Sequence, residues 1–469
     1  MPFDNWPYGV LDDHTVAGIT EALDRQSESG YTAIDLAGLW TTYGWPVDIE
    51  NAVDKDRQRH IGQIVKAAHD RKMKVICFPS GILNWGFDEI IKLHPALQTD
   101  NKHEMNPLSD EAWEWQYRVC DYVANNYEID GFHLEAADQG RCKTQECLAK
   151  WPTDVAYYSY VTSKLANYIR KHHPSLSIVA TVQSFTTWGV GFSQEDKAQL
   201  VELSKSIDCL FDQGHRSTYI PKEQWPDFIQ SLHCSYGTSG GIWVYPPQRW
   251  DRTSWFLPYT QGTGKHLKDL FAAGGRGIMF YQGPVANPGA EVNIVFGGRL
   301  MADIEKNCED ALYETIEFLY HPKTSAAHHQ LVEVFQRAEN IYFDQWDIAK
   351  IEERSVLWTV PDASKDSSGS SVKTPPPGEL HLEDIFGASP GASLYLMEPY
   401  LDTTGRMHYK QGLIGIYKDV VKIENEFNDG GRIGRIKKGI ETAVRDINNI
   451  AMSRNERQIW NDQRVGLQF

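Results

Sequence analysis

A helix and a buried strand follow one another in residues 110–135, which read DEAWEWQYRVCDYVANNYEIDGFHLE. Apolar residues recur with helical spacing up to about residue 127, and residues 129–135 then form a short run in which apolar and polar positions alternate. Similar pairs of helix and strand precede and follow this one along the chain. The repeated pattern predicts a parallel sheet that is covered by helices.

Seven runs are predicted as strands, at residues 31–40, 74–79, 129–135, 177–183, 207–212, 241–245 and 277–282. Helices are predicted between several of them, at residues 13–28, 51–71, 110–127, 154–172 and 194–205. An eighth strand near residues 2–10 contains Pro2, Pro7 and Gly9, so we expect it to be irregular. Seven or eight such units within about 300 residues favour a TIM (β/α)₈ barrel over a doubly wound sheet.

The pattern changes after residue 300. Helical spacing dominates residues 300–339 and 406–452, and residues 364–377 (SKDSSGSSVKTPPP) are rich in Ser, Gly and Pro. We therefore expect a catalytic barrel at residues 1–300 and a mainly helical C-terminal region at 301–469, with a flexible loop at 364–377. An apolar face of that helical region is suited to forming a homodimer.

Charge and composition limit the classes of partner. The chain of 469 residues has 46 Lys and Arg against 63 Asp and Glu, a net charge of -17, which argues against nucleic acid and anionic membranes as partners. No long apolar run or export signal is visible, so the default expectation is a cytoplasmic protein, although a removed leader would leave no trace. With 15 Trp and 22 Tyr, the sequence favours a carbohydrate partner, since sugar faces stack on such rings.

Sequence motifs for cofactors and metals are missing. The glycine-rich run at residues 274–277 precedes a predicted strand and does not follow one, so it is in the wrong place for a dinucleotide-binding turn. No His-Glu-x-x-His run occurs, and Ser80-Gly81 does not open a helix as a nucleophilic serine would require. We expect neither a metal nor a cofactor.

Three carboxylates are candidates for catalysis because they lie at or just after the carboxyl ends of predicted strands, where active sites of such barrels are found. These are Glu135, Asp138 and Asp212. Cleavage of a glycosidic bond needs two carboxyl groups, one protonated to assist the leaving group and one ionised as nucleophile or base. A carboxylate at a strand end can equally cap a helix or pair with an arginine, so these roles are hypotheses.

Other polar and aromatic residues at the same strand ends are candidates for binding substrate. They are Asp35, Trp40, Tyr43, Asn84, Trp85, His133, Arg141, Gln183, His215, Trp243, Tyr245, Arg249 and Tyr281. Alternation along residues 129–135 places His133 and Glu135 on one face of the sheet. The aromatic rings in this set are equally suited to core packing, and the two arginines could form surface ion pairs or bind an acidic sugar.

The segment from Asn106 to Gln139 resembles the part of barrel glycoside hydrolases in which an Asn-Pro leads a helix into a strand ending His-(Ile/Leu)-Gly-Gly-Asp-Glu. The closest pattern is that of the β-N-acetylhexosaminidases, and the α-glucuronidases are similar in outline, with a barrel followed by helices. The resemblance places Asp138 on the family's acid. Glu135 and the two alanines after it replace the Gly-Gly-Asp, so the Asp that orients an acetamido group is missing. We therefore retain the glycosidase class and not that substrate.

The leading hypothesis is a glycoside hydrolase that cleaves an oligo- or polysaccharide, with Glu135 or Asp138 as general acid and Asp212 as nucleophile or base. A carbohydrate-binding protein on the same scaffold is the first alternative, and it would retain aromatic walls without turnover. A lyase or isomerase acting on sugar acids is the second, although no lysine stands at a predicted strand end. The fold alone does not decide between them.

Overall fold

The computed structural model describes residues 10–41, 44–136, 140–182, 185, 192–212, 220–239, 255–279, 287–343 and 403–449. Their contacts divide them into two compact units. The first unit contains the described residues between 10 and 239, together with 269–279. The second contains residues 255–268, 287–343 and 403–449.

The described part of the first unit contains one parallel sheet of seven strands, each hydrogen-bonded to the next strand along the chain. The strands are β1 (Ala33–Ala37), β2 (Lys74–Phe78), β3 (Gly131–Leu134), β4 (Ser177–Thr181), β5 (Cys209–Asp212), β6 (Ser235–Ser239) and β7 (Gly277–Met279). Parallel strands in sequential order, joined by helices, confirm the predicted α/β class. Closure into an eight-stranded barrel stays a prediction.

Helices connect these strands. In the first unit they are α1 (Asp13–Glu28), α2 (Lys55–Asp70), α3 (Asp88–Leu93), α4 (Asp110–Asn126), α5 (Gln145–Lys150), α6 (Asp154–His172), α7 (Gln194–Leu203) and α8 (Trp225–Ser231). Helix α4 begins after Ser109, whose hydroxyl accepts from Ala112 N, and α6 begins after Thr153, which caps Ala156 N. Such caps satisfy backbone N–H groups that have no partner within the helix.

Six of the predicted strands coincide with β1 to β5 and β7. The strand predicted at residues 241–245 lies outside the described residues, as do residues 1–9, where an irregular first strand was expected. Strand β6 was missed. Its sequence, SYGTS, has a single large apolar residue, Tyr236, so it lacks the apolar run by which the other strands were recognised.

The two faces of the sheet carry different side chains. On β3, Phe132 and Leu134 are 0% and 3% exposed and belong to the core shared with the helices. The opposite face, which carries Gly131 and His133 of β3, is the inner face. Only glycine fits at position 131 without a shift of its neighbours, because a Cβ there would lie 2.4 Å from the carbonyl oxygen of Ser177 and 2.9 Å from Cδ1 of Ile76.

Two aspartates just before strands fix the amino ends of neighbouring strands. Asp130 Oδ2 accepts from Val75 N at 2.8 Å and lies 2.9 Å from Nε2 of His69, at the end of α2. Asp208 Oδ2 accepts from Ile178 N at 2.7 Å in the same way. These carboxylates replace ladder partners that the strand ends lack, which is a structural role.

Asp130→Ala is expected to lower the free energy of unfolding by about 1 to 3 kcal/mol, because the N–H of buried Val75 loses its acceptor. Urea unfolding followed by circular dichroism measures the change. Glu128→Ala, which removes an exposed carboxylate two residues earlier, is the control and should change stability by less than about 0.5 kcal/mol. Equal effects of the two substitutions would contradict the role of Asp130.

The second unit is helical in its described part. Helix α9 (Thr260–Ala272) has its first nine residues in this unit, followed by α10 (Pro288–Ala302), α11 (Cys308–Tyr320), α12 (Ser325–Phe343), α13 (Thr403–Ile423) and α14 (Arg432–Asn449). Glu339 caps α9 from another helix by accepting from the N–H groups of Gln261 and Gly262. The predicted boundary between residues 300 and 301 falls inside α10. The predicted loop at 364–377 lies outside the described residues.

None of the described helices has both the length and the apolar character needed to cross a membrane.

Candidate active site

The carboxyl end of β3 places two polar side chains on the inner face. His133 is 7% exposed as a residue, and the side chain of Glu135, one residue past the strand, is 18% exposed. Phe132 and Leu134 point the other way, into the core. The alternation predicted from the sequence therefore describes this strand, and it brings a histidine and a carboxylate together.

Asp35 reaches His133 from β1. Its Oδ2 lies 2.6 Å from Nδ1 of His133, and the Asp35 side chain is 26% exposed. The two strands are not neighbours, since β2 runs between them. Asp35 pairs with Ile76 of β2, and Ile76 pairs with Gly131 of β3, so the aspartate lies one row before the histidine across the inner face.

The protonation of His133 depends on these carboxylates. Burial by itself would lower the pKa of His133, but the charge of Asp35, the hydrogen bond to it and the charge of Glu135 all act the other way, and the pKa is raised above its usual 6.5. Nε2 lies 3.9 Å from Oε2 of Glu135 and 3.3 Å from the hydroxyl of Thr181. The Asp35–His133–Glu135 cluster thus holds two carboxylates around one imidazole.

The loop after β2 is tied to Glu135 through the backbone. Ile82 N donates to the carbonyl of Glu135 at 3.1 Å, and the side chain of Asn84 donates to the carbonyl of Ala136 at 2.8 Å. Asn84 is 1% exposed, and its Oδ1 also accepts from Trp85 N. The side chain of Asn84 therefore stabilises this loop, and the loop in turn fixes the backbone of Glu135 and Ala136.

An aromatic wall stands beside the cluster. The rings of Phe78 and Trp85 are stacked with centroids 5.3 Å apart and planes 8° apart, and Phe78 lies 5.5 Å from the ring of His133. Trp85 is partly exposed. Phe78, from the end of β2, and Thr181, from the end of β4, were not among the predicted residues. Both stand at strand ends on the inner face, so the alternation rule could have identified them.

Three other predicted residues are engaged within the protein. Asp212 is 1% exposed and accepts from the Tyr236 hydroxyl at 2.8 Å and from Ile220 N at 3.0 Å. It shares the helix side of β5 with Leu210, whereas Phe211 covers the inner face over β6. This placement differs from the expected position across the mouth of the sheet.

Trp40 and Arg141 also lie in the interior. Trp40 is 1% exposed and packs edge-on against Tyr127, with ring centroids 4.7 Å apart. Arg141 is 5% exposed, pairs with Asp154 at 2.6 Å and donates to the carbonyl of Trp151. Both contribute to packing in this structure.

The remaining predicted residues lie outside the described part of the chain. They are Asp138 among the candidate catalytic carboxylates, and Tyr43, Gln183, His215, Trp243, Tyr245, Arg249 and Tyr281 among the candidate binding residues. Their roles stay predictions. Within the described residues, no three His, Cys, Asp or Glu side chains are grouped as a metal site.

No protein-family model and no curated protein matches the chain. Among solved structures, a GH138 enzyme targeting pectin rhamnogalacturonan II superimposes with a TM-score of 0.56 and 10% identity, over 96% of this chain and 55% of the enzyme. This chain therefore spans little more than half of that enzyme's length. An O-GlcNAc hydrolase from Thermobaculum terrenum, in mutant form, gives a TM-score of 0.45 at 10% identity, over 96% and 95% of the two chains. A β-N-acetylhexosaminidase gives 0.42 at 10% identity, over 65% and 72%.

The first of these similarities shows a shared fold. The parallel sheet of the chain belongs to this shared fold, which confirms, for the fold alone, the resemblance found in the sequence.

Proposed function

We propose that the chain is a glycoside hydrolase that cleaves an oligo- or polysaccharide, with Glu135 as one of its two catalytic carboxyl groups. The observation that carries the proposal is the Asp35–His133–Glu135 cluster at the carboxyl ends of parallel strands, where barrel enzymes hold their reacting groups. The carboxylate of Glu135 is partly open to solvent, while its backbone is held by the β2 loop.

The aromatic wall supports a sugar as the ligand. Trp85 is stacked on Phe78 and is partly exposed, so one ring can cover the apolar face of a pyranose while nearby carboxylates accept from its hydroxyls. Asp35 and His133 supply polar groups on the same inner face. This combination of apolar and polar surface is suited to carbohydrate binding.

The second carboxyl group is proposed to be Asp138, three residues after Glu135. Asp212 is the weaker candidate, because its carboxylate is buried and accepts two hydrogen bonds on the helix side of the sheet.

We also propose that the seven-stranded sheet is part of a closed (β/α)₈ barrel. The fold shared with the GH138 enzyme supports this proposal, and because that enzyme targets pectin rhamnogalacturonan II, pectic polysaccharides are a reasonable first panel.

A turnover screen of the full chain tests the proposal. Aryl glycosides of common neutral and acidic sugars, together with natural oligosaccharides and pectic polysaccharides, are incubated with the protein, and released phenol or new reducing ends are measured. Turnover with at least one sugar class is the expected result. Binding of a sugar by calorimetry without any cleavage would instead favour the carbohydrate-binding protein. Loss of a sugar-acid substrate without new reducing ends would favour a lyase or isomerase.

A further inference from the structure

The environment of His133 distinguishes its two ring nitrogens. Nδ1 lies 2.6 Å from a carboxylate oxygen of Asp35, and because a carboxylate can only accept, this nitrogen carries a proton that it donates. Nε2 faces Thr181 and, farther away, Glu135. The side chain of His133 is 8% exposed, so little water screens these contacts.

The charged side chains that the structure describes next to the His133 imidazole are both carboxylates. Among the described residues, β1 supplies the carboxylate of Asp35, and the end of β3 supplies that of Glu135. Strand β4 contributes only the neutral hydroxyl of Thr181, and β2 contributes the ring of Phe78. Cys77 of β2 is 0% exposed and stays a neutral thiol, because burial raises its pKa well above the usual value. Two anions thus surround one group that can become a cation.

We propose that Asp35 is a positioning residue that holds His133 as an imidazolium through Nδ1, so that the charge at Nε2 keeps Glu135 ionised and makes it the nucleophile or base. The role of Glu135 in this inference rests on the proposed glycoside cleavage. A positive charge within about 4 Å favours the carboxylate form of an acid. The general acid must then be a different group, and the proposed second carboxyl, Asp138, is the candidate.

Histidine titration tests the first half of the inference without any substrate. The full chain, labelled with ¹⁵N at its 16 histidines, is titrated by NMR, and His133 is assigned from the signal that disappears in His133→Gln. Asp35→Asn is expected to lower the pKa of His133 by about 1 to 3 units, and Asp35→Glu to restore most of the shift. Titration of His133 that is unchanged in Asp35→Asn would overturn the inference.

A second Asp–His pair provides the matched control. Asp13 Oδ1 lies 2.9 Å from Nε2 of His60 on the outer helices. Asp13→Asn removes a carboxylate of the same kind from a histidine outside the cluster, so it should leave the titration of His133 and the turnover rate unchanged. Circular dichroism verifies that each variant is folded.

The leaving group of the substrate tests the role of Glu135. A general acid becomes dispensable when the leaving group is a stable phenolate, whereas a nucleophile or base does not. Glu135→Gln is therefore expected to be impaired equally on phenyl and dinitrophenyl glycosides, and recovery on the dinitrophenyl substrate would overturn the assignment. If the unmodified protein cleaves no glycoside, the proposed function and this role fail together, while the titration still decides the coupling of Asp35 to His133.

Discussion

Glu135→Gln is expected to lower kcat/KM for glycoside cleavage by about 10³-fold or more without unfolding the protein. Glutamine preserves the size of the side chain but cannot carry a negative charge, and the backbone carbonyl of residue 135 still accepts from Ile82 N. The loss therefore removes a group that acts in the transition state. Initial rates at several substrate concentrations, measured side by side for the two proteins, give the ratio of their kcat/KM values.

Two further substitutions separate catalysis from folding. Glu128→Gln changes an exposed carboxylate on the same helix–strand connection and should leave kcat/KM within about twofold of the unmodified protein. Asp212→Asn alters a buried acceptor of Tyr236 and Ile220, so its main effect should be on thermal stability. Full activity of Glu135→Gln, or equal losses in all three variants, would remove Glu135 from the catalytic role.

The sequence was sufficient to locate Glu135 and His133, because the two-residue alternation of one strand determines which side chains share a face. It could not supply Asp35 as the partner of His133. These residues are 98 positions apart, and their contact depends on the register of β1, β2 and β3, which no local pattern encodes.

Asp212 illustrates how the same rule can be misapplied. The expectation for Asp212 considered only its position at the end of β5. The direction of its side chain, however, follows from the alternation along the whole strand. Phe211 packs over Gly237 and Gly277 on the inner face, and Leu210, like Asp212, is buried on the other side. Reading alternation through the whole strand would have placed Asp212 with the helices.

The sequence pattern did not single out Glu104, because this residue lies in a loop without periodicity. In the structure it is 0% exposed, and the Tyr157 hydroxyl donates to its Oε1. Burial raises the pKa of Glu104 to about 8, and the negative charge of Asp100 adds to the shift, while the Tyr157 bond and the charge of Arg141 oppose it. A neutral carboxylic acid is therefore buried against Tyr157 in the folded protein.

Glu104→Gln is expected to flatten the dependence of stability on pH. Between about pH 4.5 and 8 the folded protein retains the Glu104 proton that the unfolded chain releases, so stability of the unmodified protein falls as pH rises through this window. The accumulated cost is on the order of 2 to 5 kcal/mol by pH 9. Glutamine has no proton to lose, and its Oε1 can still accept from Tyr157.

Urea unfolding at pH 5 and pH 9 measures this difference directly. The gain in unfolding free energy of Glu104→Gln over the unmodified protein should be larger at pH 9 than at pH 5 by the amount above. Glu128→Gln, at an exposed position, should show no such difference between the two pH values. If Glu104→Gln followed the pH profile of the unmodified protein, Glu104 would already be ionised when folded, and the Tyr157 hydroxyl and Arg141 would be the groups that compensate its buried charge.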